Sequence, residues 1–237
     1  MEGKSSPLTS PYAPIDPASD TIRLLRLEGD RTGIHGSLIH CSLSNAPKYT
    51  ALSYAWGSPE SPSEIKINGL PVSIRRNLWE ALKAIQSINF QPRRDDVEEV
   101  MGMLWVDSVC IDQNNTAEKN HQVQQMAAIY STAAMVISWL GPHTLDSTML
   151  FEWGNNLKTP PPWDWNDTDN ETGNGVRKAI KQLLERDYWH RLWIVQEVLL
   201  SRHDHQLLCG TDSVSGYGFF NQWLGGGTLR CSFQFDI

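Results

Sequence analysis

The chain has 237 residues, of which 40% are hydrophobic and 20% charged, a composition typical of a soluble globular protein with a substantial core. Its net charge of −7 at pH 7 disfavours nucleic acid and anionic membranes as partners, because both are themselves negatively charged. No stretch approaches the ~20 apolar residues of a transmembrane helix, and the first residues lack the apolar segment of a secretory signal. We therefore expect a cytoplasmic protein with no membrane span.

Short strands dominate the first third of the chain. Residues 1–20 are rich in Pro and Ser and predict a disordered lead. Apolar extended segments predict strands over residues 22–28, 36–43 and 49–56. Two further strands flank Asn68-Gly69, the dipeptide that most strongly favours a tight hairpin.

Helices and strands alternate in the middle of the chain. A helix with Asn77 as its N-cap is predicted from an apolar stripe at helical spacing, formed by Leu78, Ala81, Leu82 and Ile85. A buried strand is predicted over residues 103–109. The spacing of Asn115 and Glu118 then predicts a capped helix through Ser131. Its buried stripe is expected to comprise Val123, Met126, Ala127 and Tyr130, and a strand over residues 134–140 follows.

The C-terminal part reads as helices over residues 145–157, 176–186 and 191–201 and a strand over 206–209, with an insertion loop at about 158–175. This alternation predicts an α/β fold with a mainly parallel central sheet flanked by helices, extended at its N-terminal side by antiparallel strands. The domain is expected to cover residues 21–215. Residues 216–237 are predicted to be a poorly ordered or truncated tail.

A first candidate site lies where a predicted strand ends at Tyr54, Trp56 and Gly57. Aromatic rings can flank a ligand, and glycine permits a close backbone approach. The alternative is that both rings simply pack at the junction of strand and loop.

A second candidate site contains the carboxylates of Asp107 and Asp112. Ligands of open α/β sheets gather beyond the carboxyl ends of the strands, where a carboxylate can bind a hydroxyl group or act as a base. The alternative is that Asp112 caps a turn and Asp107 accepts hydrogen bonds from backbone amides.

A third candidate site is the segment 191–197, RLWIVQE. Helical spacing places Trp193 and Glu197 on one face, where burial would raise the pKa of the carboxyl group. A salt bridge from Glu197 to Arg186 or Arg191 is the alternative.

Metal and thiol chemistry find little support in the residue pattern. The segment His203-Asp204-His205 is predicted to be a surface turn, since no third ligand stands at metal-site spacing. The four cysteines form no Cys-x-x-Cys pair and are expected to be reduced, with Cys110 a buried, inert thiol.

Three ordered blocks together resemble the fungal heterokaryon incompatibility domain. They are ALSYAWG at residues 51–57, the segment 105–141 that contains CIDQ and WLG, and RLWIVQE at residues 191–197. The resemblance implies an intracellular effector or signalling domain of non-self recognition and programmed cell death. It also implies protein partners or self-association.

The same resemblance carries a more distant likeness to TIR domains, hence to a TIR- or flavodoxin-like sheet. That likeness implies an NAD glycohydrolase in which Glu197 is the catalytic residue. NAD would be its substrate, and no cofactor is predicted with certainty. The ligand-binding residues would be Tyr54, Trp56, Gly57, Asp107, Asp112, Gln113, Arg191, Trp193 and Gln196. The third alternative is a non-catalytic self-association scaffold or a truncated, inactive product.

Overall fold

One nine-stranded sheet runs through the computed structural model, which describes residues 10–30, 33–89, 102–156, 171–191, 193–199 and 204–223. Strands β1 (Thr21–Asp30) and β2 (Gly33–Ser42) form an antiparallel pair in which Ile22 faces Cys41 across the ladder. The strands predicted over 22–28 and 36–43 are confirmed, and both are longer than predicted.

The next three strands are β3 (Thr50–Tyr54), β4 (Ser63–Ile67) and β5 (Leu70–Ile74). Strands β4 and β5 pair antiparallel around Asn68 and Gly69, whose φ angles are 52° and 78°. Positive φ at both central residues is the signature of a type I′ turn. The predicted hairpin is therefore confirmed.

Helix α1 (Arg76–Asn89) covers part of the sheet with its predicted apolar stripe. All four stripe residues are at most 1% exposed, namely Leu78, Ala81, Leu82 and Ile85. The N-cap prediction for Asn77 is wrong, because this residue lies inside the helix. Its amide donates to the Ala55 carbonyl at 2.6 Å and accepts from Trp139 Nε1 at 2.9 Å.

Strand β6 (Met103–Trp105) is shorter than predicted, because the chain turns into helix α2 (Asp107–Cys110) directly after it. Helix α3 (Thr116–Thr132) starts at the predicted N-cap, where the Asn115 side chain accepts from the Glu118 amide at 3.1 Å. Ala127 is exposed, so its place in the predicted buried stripe is wrong, and Ile129 is buried instead. Strand β7 (Met135–Trp139) follows as predicted.

The C-terminal part adds four helices and two strands. They are α4 (Leu145–Asn156), α5 (Glu171–Leu184), α6 (Ile194–Leu199), β8 (Asp204–Cys209), β9 (Asp212–Ser215) and α7 (Gly216–Trp223), with a 3₁₀ turn at Asp187–His190. The predicted insertion loop falls mostly on residues 157–170, which lie outside the described residues. The turn predicted for His203-Asp204-His205 is wrong for its last two residues, since both belong to β8, and His203 is not described.

The strand order is β5-β4-β2-β1-β6-β3-β7-β8-β9. The central strands β6-β3-β7-β8 are parallel and β2 is parallel to β4, while β1 pairs antiparallel with both β2 and β6. The sheet is therefore mixed, and the prediction of a mainly parallel sheet is wrong. The cause is local, because strands joined by short connections, such as β1-β2, β4-β5 and β8-β9, must run antiparallel.

Two apolar clusters form the core. The larger one contains Leu104, Trp105, Ile137 and the stripe of α1, and the smaller one packs α4, α5 and Phe219 of α7 on β8 and β9. None of the helices in the described ranges combines the length and the apolar character of a membrane-spanning segment.

Candidate functional site

A buried ion pair stands at the centre of the candidate site. Arg191 is an extended residue that precedes α6, and Glu197 lies on that helix, fully buried. The guanidinium donates from Nη1 to Oε2 at 2.7 Å and from Nη2 to Oε1 at 2.8 Å. Burial opposes the charge on Arg191, but the Glu197 carboxylate outweighs it and raises the pKa of Arg191 above its ordinary value.

A chain of hydroxyl groups runs from this ion pair under the sheet. Ser53 of β3 donates to Glu197 Oε2 and lies 2.9 Å from the Tyr188 hydroxyl. The Tyr188 oxygen is 2.6 Å from Ser138 Oγ on β7, which in turn lies 2.8 Å from His205 Nε2 on β8. Three adjacent parallel strands thus contribute one polar side chain each to a single buried network.

Burial sets the protonation states along this chain. It raises the pKa of Tyr188 well above its ordinary value, since ionisation would leave a charge in the core. It lowers the pKa of His205 to about 4, against a partial opposing effect from Asp204. Both side chains are therefore neutral near pH 7.

Asp107 lies beside the ion pair at the start of α2. Its Oδ2 accepts from Trp56 Nε1 at 2.8 Å and its Oδ1 from the Ser108 amide at 2.7 Å. Burial nevertheless raises the pKa of Asp107 above its ordinary value, because these hydrogen bonds and nearby Arg191 only partly offset the loss of solvent.

These groups border a cleft of about 510 Å³, a size usual for small-molecule sites. Two tryptophans stand at its edge, and Trp193 is 45% exposed. Its lining residues are Trp56, Asp107, Ile111, Gln113, Lys119, Val123, Met126, Arg191, Trp193 and Glu197.

Six of the residues predicted from the sequence meet in this cleft, and three others do not. Tyr54 is buried with its hydroxyl donating to Ser108 at 2.6 Å, and Gly57 borders a different cavity. Asp112 accepts from the Asn114 amide at 3.0 Å and so caps a turn, the alternative stated for it. The side chain of Gln196 lies outside the described residues. Glu197 forms the salt bridge to Arg191 that was its alternative.

Sequence reasoning missed Ser53, Ser138, Tyr188 and His205. A signal was present, because Ser53 and Ser138 are polar residues inside otherwise apolar strands. They face each other across the β3–β7 ladder. A buried polar side chain needs a hydrogen-bonding partner, so two such serines indicate a polar network under the sheet.

A second buried ion pair connects β1 to α3, the helix that lines one side of the cleft. Arg23 is fully buried on β1, and its Nη2 donates to Glu118 Oε2 at 3.0 Å and to the Ala13 carbonyl at 2.6 Å. Glu118 Oε1 also accepts from the Asp112 amide at 2.8 Å. The pair therefore joins the lead segment, β1, α3 and the loop before α3.

Metal and thiol chemistry remain without support in the described ranges, where no cluster of His, Cys, Asp and Glu side chains suits a metal ion. Cys110 is fully buried, and burial raises the pKa of its thiol to about 12. The predicted burial of Cys110 is confirmed, and a thiol with that pKa is protonated at neutral pH.

Comparison with known proteins gives one family and one curated relative. A model of the family described as heterokaryon incompatibility protein (HET) matches residues 49–197. The chain is also similar to heterokaryon incompatibility protein 6, OR allele, of Neurospora crassa, with 30% identity over 118 residues. That alignment covers 46% of this chain and only 17% of the relative. No solved structure matches the chain.

Proposed function

The chain belongs to the heterokaryon incompatibility family, and on that premise we propose that it is a signalling or effector module of fungal non-self recognition and programmed cell death. The curated relative carries the name of a heterokaryon incompatibility protein, which supports this role. We further propose that the module acts in the cytoplasm through protein partners or self-association rather than on nucleic acid.

One observation connects the proposed role to a specific site in the structure. The three blocks that resemble the family are far apart in sequence, yet their side chains meet around one cleft. Ser53 from the first block contacts Arg191 and Glu197 from the third, and Trp56 from the first donates to Asp107 from the second. We infer that this meeting point, rather than any single block, is the functional unit of the domain.

A TIR- or flavodoxin-like fold is supported by the order of the parallel strands. Numbered by their order in the chain, β6-β3-β7-β8 read 2-1-3-4. This is the order with which flavodoxin-like sheets begin. The likeness rests on that order and on helices that flank the sheet.

The cleft supports ligand or partner binding better than catalysis by Glu197. Both carboxylate oxygens are held by Arg191, and one also accepts from Ser53. A group so engaged is not free to bind a ribose hydroxyl or to transfer a proton. Cleavage of NAD by Glu197 would first require Arg191 to leave the carboxylate.

The proposed role is tested by inducible expression of the chain in a filamentous fungus, with growth and viability as the readout. We expect wild type to arrest growth, and Glu197→Gln at equal soluble abundance to lose most of that effect. Glu152→Gln is the matched control, because Glu152 is an exposed glutamate on α4. The proposal would be overturned if the fungus grows normally while it expresses the folded wild-type chain, even when copies of the chain are joined by an inducible dimeriser.

Catalysis is tested separately by incubating the purified chain with NAD and following nicotinamide release. The ion pair predicts no release above the buffer rate. The opposite result would be nicotinamide release by wild type that is abolished in Glu197→Gln and unchanged in Glu152→Gln. That result would show that the chain is an NAD glycohydrolase rather than a binding module.

A further inference from the structure

A second cavity, of about 420 Å³, opens at the carboxyl ends of β3 and β7, away from Glu197. It is bordered by residues that follow these two strands directly, including Ala55, Gly57, Leu140 and Gly141. Among the parallel strands, β6 follows β3 in the chain and lies on one side of it, whereas β7 comes next and lies on its other side. In open α/β sheets this is the position where ligands bind.

The backbone keeps this cavity open. Gly57 and Gly141 both have left-handed conformations, with φ angles of 73° and 103°. A side chain at either position would be strained. A Cβ atom on Gly141 would lie at ordinary contact distance from Arg186 Nη1, 3.6 Å, so the guanidinium lies directly beside this turn.

Arg186 brings a positive charge to the cavity. Its Nη1 donates to the carbonyl oxygens of Leu140 at 2.9 Å and Pro142 at 3.0 Å, which fixes the guanidinium against the turn after β7. Among the described residues, no Asp or Glu oxygen forms an ion pair with it. Its Nε and Nη2 donate to no described residue, so they remain for a ligand.

We propose that this cavity binds the phosphate group of a small organic molecule, with Arg186 as the anchoring residue. A guanidinium presents donors in a planar fork that matches two phosphate oxygens. Apolar walls from Trp139, Leu140 and Pro142 surround the space for the organic part. Asp187 also borders the cavity, and its negative charge moderates the affinity for a free anion.

The proposed phosphate site is independent of the cleft at Glu197, although one residue belongs to both the cavity and the hydroxyl chain. Tyr188 lines this cavity, and its hydroxyl belongs to the chain that ends at Glu197. None of the atoms that would contact phosphate belongs to that ion pair. Loss of one site therefore leaves the other proposal standing.

The test titrates the purified chain with ribose 5-phosphate, inorganic phosphate and ribose, by calorimetry and by NMR of the tryptophan indole N–H signals. We expect ribose 5-phosphate to bind, phosphate to compete with it, and ribose alone to have no effect. In wild type the Trp139 signal should shift, while that of buried Trp105, in the larger core cluster, should not. This localises the site without any substitution.

Arg186→Gln should weaken binding at least tenfold, equal to about 1.4 kcal/mol. Arg76→Gln, at an arginine whose side chain is 58% exposed on α1, should leave binding unchanged. No binding at millimolar concentrations would overturn the proposal. So would equal binding by folded Arg186→Gln, or shifts that avoid Trp139.

Discussion

Arg191 binds both carboxylate oxygens of Glu197, through two parallel hydrogen bonds of 2.7 and 2.8 Å. The side chain of Glu197 is 1% exposed and that of Arg191 17% exposed, so this pair is almost removed from water. In a bidentate pair the planar guanidinium also fixes the direction of the carboxylate. The geometry of the cleft therefore depends on Arg191 as much as on Glu197.

Removal of Arg191 should strongly destabilise the fold. In Arg191→Gln the Glu197 carboxylate loses its counterion in a buried position. Breaking a buried pair from one side costs about 3–5 kcal/mol, so we expect a loss of that order in the free energy of unfolding. Urea denaturation followed by tryptophan fluorescence measures it.

The double variant Arg191→Gln/Glu197→Gln should recover part of this loss, since no unpaired charge is left. Arg76→Gln is the control, because the Arg76–Glu80 pair is exposed and such pairs contribute about 0–1 kcal/mol. Equal losses from Arg76→Gln and Arg191→Gln would show that the buried pair has no special weight.

Tyr188→Phe should interrupt the chain of hydroxyl groups between Ser53 and Ser138 without creating a cavity in the core. The phenyl ring still fills the space, but Ser53 and Ser138 each lose a hydrogen-bond partner in a buried place. Both serines keep other partners, Glu197 and Arg191 for Ser53 and His205 for Ser138, so only the two hydrogen bonds to Tyr188 are lost. Each hydrogen bond contributes about 0.5–1.5 kcal/mol, and we expect destabilisation of about 1–3 kcal/mol. Tyr217→Phe serves as the control, because Tyr217 is 79% exposed and its substitution should change stability by less than about 0.5 kcal/mol.

Local signals allowed several elements to be predicted from the sequence alone. The type I′ hairpin follows from Asn68-Gly69, because these residues tolerate positive φ. The buried face of α1 follows from apolar residues at helical spacing, and the start of α3 from Asn115. Each of these features is decided within a few residues, so no knowledge of the rest of the fold is needed.

The polar network could not be predicted, because it depends on which strands are neighbours. Ser53 and Tyr188 are 135 residues apart in the chain. Ser53 and Ser138 lie side by side only because β7 pairs with β3. Asn77 shows the same limit. Its side chain bonds to Ala55 and Trp139 rather than capping α1, and neither partner is close in sequence.

His205 should make the fold less stable in mild acid. Unfolded histidine takes up a proton near pH 6.5, whereas folded His205 does so only near pH 4. The unfolded state therefore binds more protons between these values, and stability falls as the pH decreases through this window, by roughly 2–3 kcal/mol. His205→Gln can still form a hydrogen bond with Ser138 but cannot titrate, so the loss of stability of this variant over this window should be smaller. His143→Gln, at an exposed histidine, should follow wild type in denaturation series at each pH.

Two glycine substitutions should change stability in opposite directions. A Cβ atom on Gly36 of β2 would lie 2.6 Å from Leu25 Cδ1 and 2.7 Å from the Arg26 carbonyl oxygen, and the latter belongs to the backbone of β1. The strand pair must separate to accommodate this atom, so Gly36→Ala should destabilise the fold by about 3 kcal/mol.

Gly175, exposed on helix α5, has open space around its Cβ position. Gly175→Ala should therefore stabilise the fold by about 0.5–1 kcal/mol, since alanine restricts the unfolded chain and favours helix. Thermal denaturation of both variants decides the point, and a stabilising Gly36→Ala would mean that β1 and β2 do not pair in the register that places Gly36 opposite Leu27.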